Sequence, residues 1–218
     1  MAKRFELLVF DWDGTLMDSA ATIVSCMRAA AMDLGLAPPP PERARRVIGL
    51  GLRQALTQAI PELAIGRHEE LADRYRHHYL SQDQELALFA GAGELLREMA
   101  AAGYLLAVAT GKSRKGLDRA MAVAGLDEVF HATRCADECH SKPHPQMLDE
   151  LMAEFGLAPD VTLMVGDTTH DLEMARNASV AALAVSYGAH PREALQSCSP
   201  LYCADSVADM AAWLRANA

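Results

Sequence analysis

Lysine is scarce in this 218-residue chain. Lys3, Lys112, Lys115 and Lys142 are the whole set, so amine chemistry between positions 3 and 112 is excluded. Positive charge is short overall, with 20 Lys and Arg against 29 Asp and Glu and a net charge of −9. That balance argues against nucleic acid or an anionic membrane as the main partner. Long apolar runs are missing as well. No stretch approaches the roughly 18 residues of a membrane span. The run that follows Lys3 and Arg4 reaches Asp11 within a few residues, too short for the core of a signal peptide. Five cysteines, an odd number without framework spacing, exclude a disulfide scaffold and indicate a reduced, cytoplasmic protein.

What is present is ordinary globular material, 51% hydrophobic and 22% charged. The length allows one large domain or two small ones, with a sizeable core. Short apolar runs predict strands at Leu7–Phe10, Leu105–Ala109, Thr162–Val165 and Ala181–Val185, with weaker ones near Val129–Thr133 and Leu201–Cys203. Segments of helical period alternate with them and stop at Gly103, Gly125 and Gly156, where glycine accepts the left-handed turn that ends a helix. Strand–helix alternation with near-continuous apolar strands implies an α/β fold, a parallel sheet covered on both faces. Residues 17–88 break the pattern. Ile23, Met27, Ala30 and Leu34 keep helical spacing, as do Ala55, Leu56, Ala59 and Ile60, and then Leu71, Tyr75 and Tyr79. Pro38 to Pro41 form a stiff connector. The expected organisation is therefore a helical unit, 17–88, inserted into a core made of 1–16 and 89–218.

Four polar features fall at the carboxyl ends of expected strands: Asp11 and Asp13, Thr110-Gly111-Lys112, Lys142, and Gly166-Asp167 with Asp171. In an open α/β sheet these ends converge on one crevice. Asp11 and Asp13 are two apart, so they should share one face at the strand tip. Close carboxylates repel unless a cation or proton compensates. Acidic oxygens suit Mg²⁺. A hydroxyl, backbone N–H groups and a lysine can hold phosphate oxygens. One aspartate can act as nucleophile and a second as proton carrier.

The run Phe10-Asp11-Trp12-Asp13-Gly14-Thr15-Leu16, followed in order by Thr110, Lys142 and Gly166-Asp167-x-x-x-Asp171, resembles the four motifs of the haloacid dehalogenase-like hydrolase superfamily. The match covers nearly the whole chain and looks most like the phosphoglycolate phosphatase-like branch. The resemblance implies a Rossmann-like core with an all-helical cap. It implies a Mg²⁺-dependent phosphatase acting on a small, phosphoglycolate-like phosphorylated metabolite through an aspartyl-phosphate. Asp11 would be nucleophile and metal ligand. Asp13 would be acid/base, with its backbone carbonyl on the metal. Asp167 would be a third ligand, and Asp171 would orient it or the metal's waters. Thr110, Gly111 and Lys142 would grip the phosphoryl group, with Lys112 as an added phosphate contact or a solvent-facing residue. Arg53, after Gly49-Leu50-Gly51-Leu52, would reach the substrate's far end. Gly111-Lys112 and His170 depart from the branch's usual pattern. A monomer or homodimer is expected.

Blander readings compete for some residues. Arg43, Arg45 and Arg46 fit a solvated face. Cys135, Cys139, His140 and His131 match no common zinc spacing. Among related activities, phosphonoacetaldehyde hydrolysis lacks its cap lysine, and dehalogenation does not need Asp13 and Asp167. A β-phosphoglucomutase-like mutase shares the catalytic set. From another class, a phosphoaccepting receiver module would use similar groups, but at about half this length and without an insertion.

Overall fold

A computed structural model describes residues 4–218, so Lys3 lies outside the described residues. Among them, six strands form one parallel sheet: β1 (Leu7–Phe10), β2 (Leu105–Thr110), β3 (Ala132–Cys135), β4 (Thr162–Gly166), β5 (Ala181–Val185) and β6 (Tyr202–Ala204). Their order is β3-β2-β1-β4-β5-β6. The apolar run of β1 is buried on both sides because it pairs with β2 and β4. Side chains alternate between faces. Leu8 and Phe10 join one apolar cluster with Leu106, Val108 and Val165. Leu7 and Val9 join another with Ala107, Met164 and Leu151.

Helices α1 (Ala20–Asp33), α2 (Pro41–Arg46), α3 (Leu52–Ala59) and α4 (His68–Leu80) follow β1 and pack round their own cluster, with Met27, Leu56 and Leu71 at its centre. Pro41 opens α2 at a first-turn position, where a missing N–H costs nothing, and Pro38 to Pro40 lie in the connector. The chain leaves and re-enters the sheet layer through adjoining extended segments: Phe89 N–H donates to Leu16 O at 2.9 Å, and Asp18 N–H to Ala87 O at 3.0 Å.

The sheet layer continues through α5 (Ala92–Ala101), α6 (Arg114–Ala124), α7 (Gln146–Phe155), α8 (Thr169–Asn177), α9 (Arg192–Ser197) and α10 (Val207–Asn217). Gly125 and Gly156 end α6 and α7 in left-handed conformation, as their positions predict. The strand expected near 129–133 runs instead over Ala132–Cys135. It is an edge strand whose Arg134 and Thr133 are only half-buried, so no apolar run marks it. No helix of the described residues is long and apolar enough to cross a membrane.

Candidate active site

The chain runs from β1 to one side of the sheet and from β3 to the other side of β1. This leaves a crevice beyond the carboxyl ends of β1 and β4, the usual ligand position in such sheets. Asp11 follows β1 directly and Asp167 follows β4 directly. Asp171 lies one turn into α8. Carboxylate oxygens of Asp11, Asp167 and Asp171 lie within 4.8 Å of one another, all buried. Three anions in so small a volume need compensation. Lys142, wholly buried, provides part of it. Its Nζ donates to Asp171 Oδ1 at 2.6 Å and lies 2.8 Å from Asp11 Oδ1. The second contact has ion-pair distance without hydrogen-bond alignment, so neither Asp11 oxygen has a hydrogen-bond partner among the described residues.

The other two acids are better satisfied. Asp167 accepts from Thr15 Oγ1 at 2.8 Å and from Ala189 N–H at 2.7 Å. Asp171 Oδ2 accepts from Thr168 N–H and Oγ1 at 3.0 and 2.7 Å, closing a capping box at the start of α8. Burial raises the Asp11 carboxyl to about 7; Lys142 opposes the rise, and Asp171 and Asp13 add to it. Burial, with Asp11 and Asp171 nearby, also pushes Asp167 well above the carboxylate range. Lys142 moves up despite burial, because Asp11 and Asp171 hold its charge.

This donor set fits a hard divalent cation. It is all oxygen, it carries more negative charge than one lysine balances, and Asp11 offers two buried oxygens with no hydrogen bond.

Asp13 does not join the three-acid cluster with its carboxylate. Oδ1 accepts from Ser19 Oγ at 2.7 Å, and Oδ2 pairs with Lys112 Nζ at 3.0 Å. Ser19 precedes α1 but spends its hydroxyl on Asp13 rather than on capping the helix. Asp11 and Asp13 lie beyond the strand, where strict alternation ends, yet both line one cavity of about 930 Å³. Thr110, Gly111, Lys112 and Arg53 line it too. Lys142 lies behind Asp11, outside the cavity lining.

Lys112 is not a solvent-facing residue. Its ammonium donates to Tyr79 Oη of α4 at 2.8 Å and lies 4.6 Å from that ring's centre. Gly111 explains the other departure. A Cβ there would come within 2.6 Å of the Gly49 and Leu50 carbonyl oxygens, so this loop meets the α2–α3 connector with no room for a side chain. His170 turns away from the acids. Its Nε2 lies 2.9 Å from Arg46 O, beside His190 Nε2 at 3.2 Å from the same carbonyl. Ser141 Oγ accepts from Gly51 N–H at 2.8 Å, a further tie between the sheet layer and the insertion. The cysteine–histidine set makes no joint site. Cys135 is buried in the core, Cys139 contacts Glu150, and His140 faces His144.

Thr15, Ser19, Thr168, Ser141 and Tyr79 join the site only through the folded geometry. Thr168-x-x-Asp171 had a legible signal, the capping-box spacing. Ser19 stood at a helix start, which would suggest a cap rather than a partner for Asp13. Thr15 and Asp167 are 152 residues apart and carried no joint signal.

The haloacid dehalogenase-like hydrolase model matches residues 8–185. The probable phosphatase IndB of Dickeya dadantii strain 3937 is 36% identical over 210 residues, 94% of this chain and 91% of that protein. A phosphoglycolate phosphatase of Vibrio vulnificus strain CMCP6 is 28% identical over 217 residues, 95% of each. A crystal structure described as a predicted phosphoglycolate phosphatase, from Haemophilus somnus 129PT, superposes with a TM-score of 0.85 at 26% identity, covering 96% of this chain and 98% of that one. The chain belongs to the haloacid dehalogenase-like hydrolase family, on its phosphoglycolate phosphatase-like branch. It is, within that family, a phosphatase.

Proposed function

We propose that the protein hydrolyses a small phosphate monoester, with Mg²⁺, through a phosphorylated Asp11. The observation that carries this reading is the Asp11 carboxylate. It is buried, unsatisfied, charge-paired with Lys142, and opens onto the cavity. An Asp11 oxygen attacks phosphorus, and the bond from phosphorus to the alcohol oxygen breaks. Asp13 gives its proton to the departing alcohol. Water then attacks the acyl phosphate while Asp13 takes its proton, and the Asp11–phosphorus bond breaks to free phosphate. Lys142 holds Asp11 ionised enough to attack, against the burial that would protonate it.

Asp11, Asp167 and the Asp13 backbone carbonyl would hold Mg²⁺, with Asp171 fixing Lys142 and the metal's surroundings. The ion, when bound, supplies positive charge to the phosphoryl oxygens. Thr110 and Gly111 bind those oxygens from the end of β2. Residues 17–88 act as a cap over a core of 1–16 and 89–218, and closing it keeps bulk water from the acyl phosphate. Arg53, at the start of α3 and lining the cavity, meets the far end of the substrate. Lys112 ties the acid/base residue to the cap. The five unpaired cysteines support a cytoplasmic setting. A monomer or a homodimer is proposed.

The test is phosphate release across a panel of phosphorylated metabolites with and without Mg²⁺. Repeated turnover that chelation abolishes is expected. Turnover indifferent to chelation, or one slowly lost phosphoryl group per chain, would contradict the reading.

A further inference from the structure

Asp13, the residue given the proton of the leaving alcohol, points towards the insertion. Its Oδ2 pairs with Lys112 at 3.0 Å, and Lys112 donates to Tyr79 at 2.8 Å. The Tyr79 ring stacks on Tyr75 with centroids 5.8 Å apart. The leaving group therefore emerges beneath this tyrosine pair. The wall around it is mostly apolar, with Ile23 and Met27 from α1, Val47 and Ile48 after α2, Leu52 from α3, and Tyr75, and it is interrupted by Gln54, Thr57 and Gln58 of α3.

Volume points the same way. The cavity holds about 930 Å³. A two-carbon phosphorylated acid has roughly nine heavy atoms. At about 30 Å³ of liquid for each displaced water, it accounts for roughly 270 Å³, under a third of that space. Such a substrate would leave most of the apolar wall against water. A ring-sized apolar body would displace that water and lie against the tyrosine faces. Two lining cations, Arg53 and Lys115, have no ion-pair partner among the described residues, and both are exposed, Arg53 at the start of α3 and Lys115 in the first turn of α6, rather than set among the apolar side chains.

We propose that the preferred substrate is a phosphate monoester whose leaving group is a bulky, largely apolar or aromatic body, not a short phosphorylated acid. This rests on the phosphatase reading of Asp11 and narrows its substrate class.

The test compares kcat/KM for 2-naphthylmethyl phosphate, ethyl phosphate and 2-phosphoglycolate in the presence of Mg²⁺. All three expel an alkyl alcohol, so leaving-group reactivity does not decide the order. The naphthylmethyl ester should be favoured at least roughly tenfold over the other two, the scale of discrimination an apolar pocket gives. Leu52→Asn, at a half-buried helix start where an amide is tolerated, should reduce that preference by lowering the naphthylmethyl value more than the ethyl value. Equal rates, or 2-phosphoglycolate as the best substrate, would overturn the substrate class and leave the phosphatase reading standing. No phosphate release from any of the three would overturn both.

Discussion

The floor and the roof of the cavity are built on opposite terms. On the floor, Asp11, Thr110, Lys142, Asp167 and Asp171 are almost wholly buried, and each acid but Asp11 is pinned by hydrogen bonds from neighbours. On the roof, α1, α3, α4 and the α2–α3 connector present mostly apolar side chains and two tyrosines, with Gln54, Thr57 and Gln58 among them and Arg53 at the edge. The floor is charged, buried and, Asp11 apart, closely hydrogen-bonded. The roof supplies shape. On the proposed reading the difference divides the work, with reaction chemistry in the sheet layer and selection among substrates in residues 17–88. The side-chain ties that join them include Lys112 to Tyr79, Ser19 to Asp13, Arg119 to Asp83, Ser141 to Gly51, and His170 with His190 to the Arg46 carbonyl.

The comparison breaks most sharply at Lys142. Lys142→Ala leaves Asp11 and Asp171 buried with no cation between them. Removing one partner of a buried pair costs about 3–5 kcal/mol. Urea denaturation without added metal should register that loss, and saturating Mg²⁺ should recover part of it. A change confined to activity would mean that the floor's charges are balanced elsewhere.

A smaller effect separates floor from roof by pH. The Asp11 carboxyl sits at about 7 when folded, against 3.8 ordinarily, so the folded chain binds the proton more tightly than the unfolded one. That contribution to stability is full below the ordinary value and is lost as pH rises through about 7. Asp167 shifts in the same direction. Metal-free protein should therefore melt at a lower temperature at pH 8 than at pH 5. Mg²⁺ should raise the melting temperature more at pH 8, where the acids are ionised. Buried His190, whose imidazole is held below its ordinary 6.5, opposes this trend between pH 5 and about 6.5, so the fall is expected to come chiefly above that range. The surface carboxylates whose pKa is lowered, such as Glu98 and Glu138, lose their stabilisation only at still lower pH. A metal-free melting temperature that is flat or rising from pH 5 to pH 8 would contradict the charge crowding described for the floor.

The smallest effect belongs to the roof. Arg53→Ala should raise KM roughly two- to fivefold for a monoester with a distal carboxylate, the scale of an exposed ion pair. An uncharged monoester should be affected less. Steady-state kinetics on the two substrates would show it, and equal effects would remove the selective role of Arg53.

The floor was largely legible in the sequence because its residues sit at fixed offsets from apolar strands. Leu7–Phe10 announced Asp11, and Thr162–Val165 announced Asp167. Partnerships were less legible. That Asp171 clamps Lys142, 29 residues away, or that Ser19 holds Asp13 instead of capping α1, depends on folded geometry that no local pattern encodes. Lys112 was ambiguous for the same reason, since its partner Tyr79 lies in the insertion. The helices of the roof could be read from their period. Their cavity could not, because periodicity tells which residues are apolar and not which of them leave space between helices.

The division of labour rests on Asp11 as the group that carries the phosphoryl. The direct measurement is rapid acid quench of the enzyme during turnover of a ³²P-labelled monoester, followed by peptide mapping. A hydroxylamine-labile label on the peptide containing Asp11 is expected, with both label and turnover lost in a folded Asp11→Asn variant. Label on another residue, or sustained phosphate release by Asp11→Asn, would contradict it.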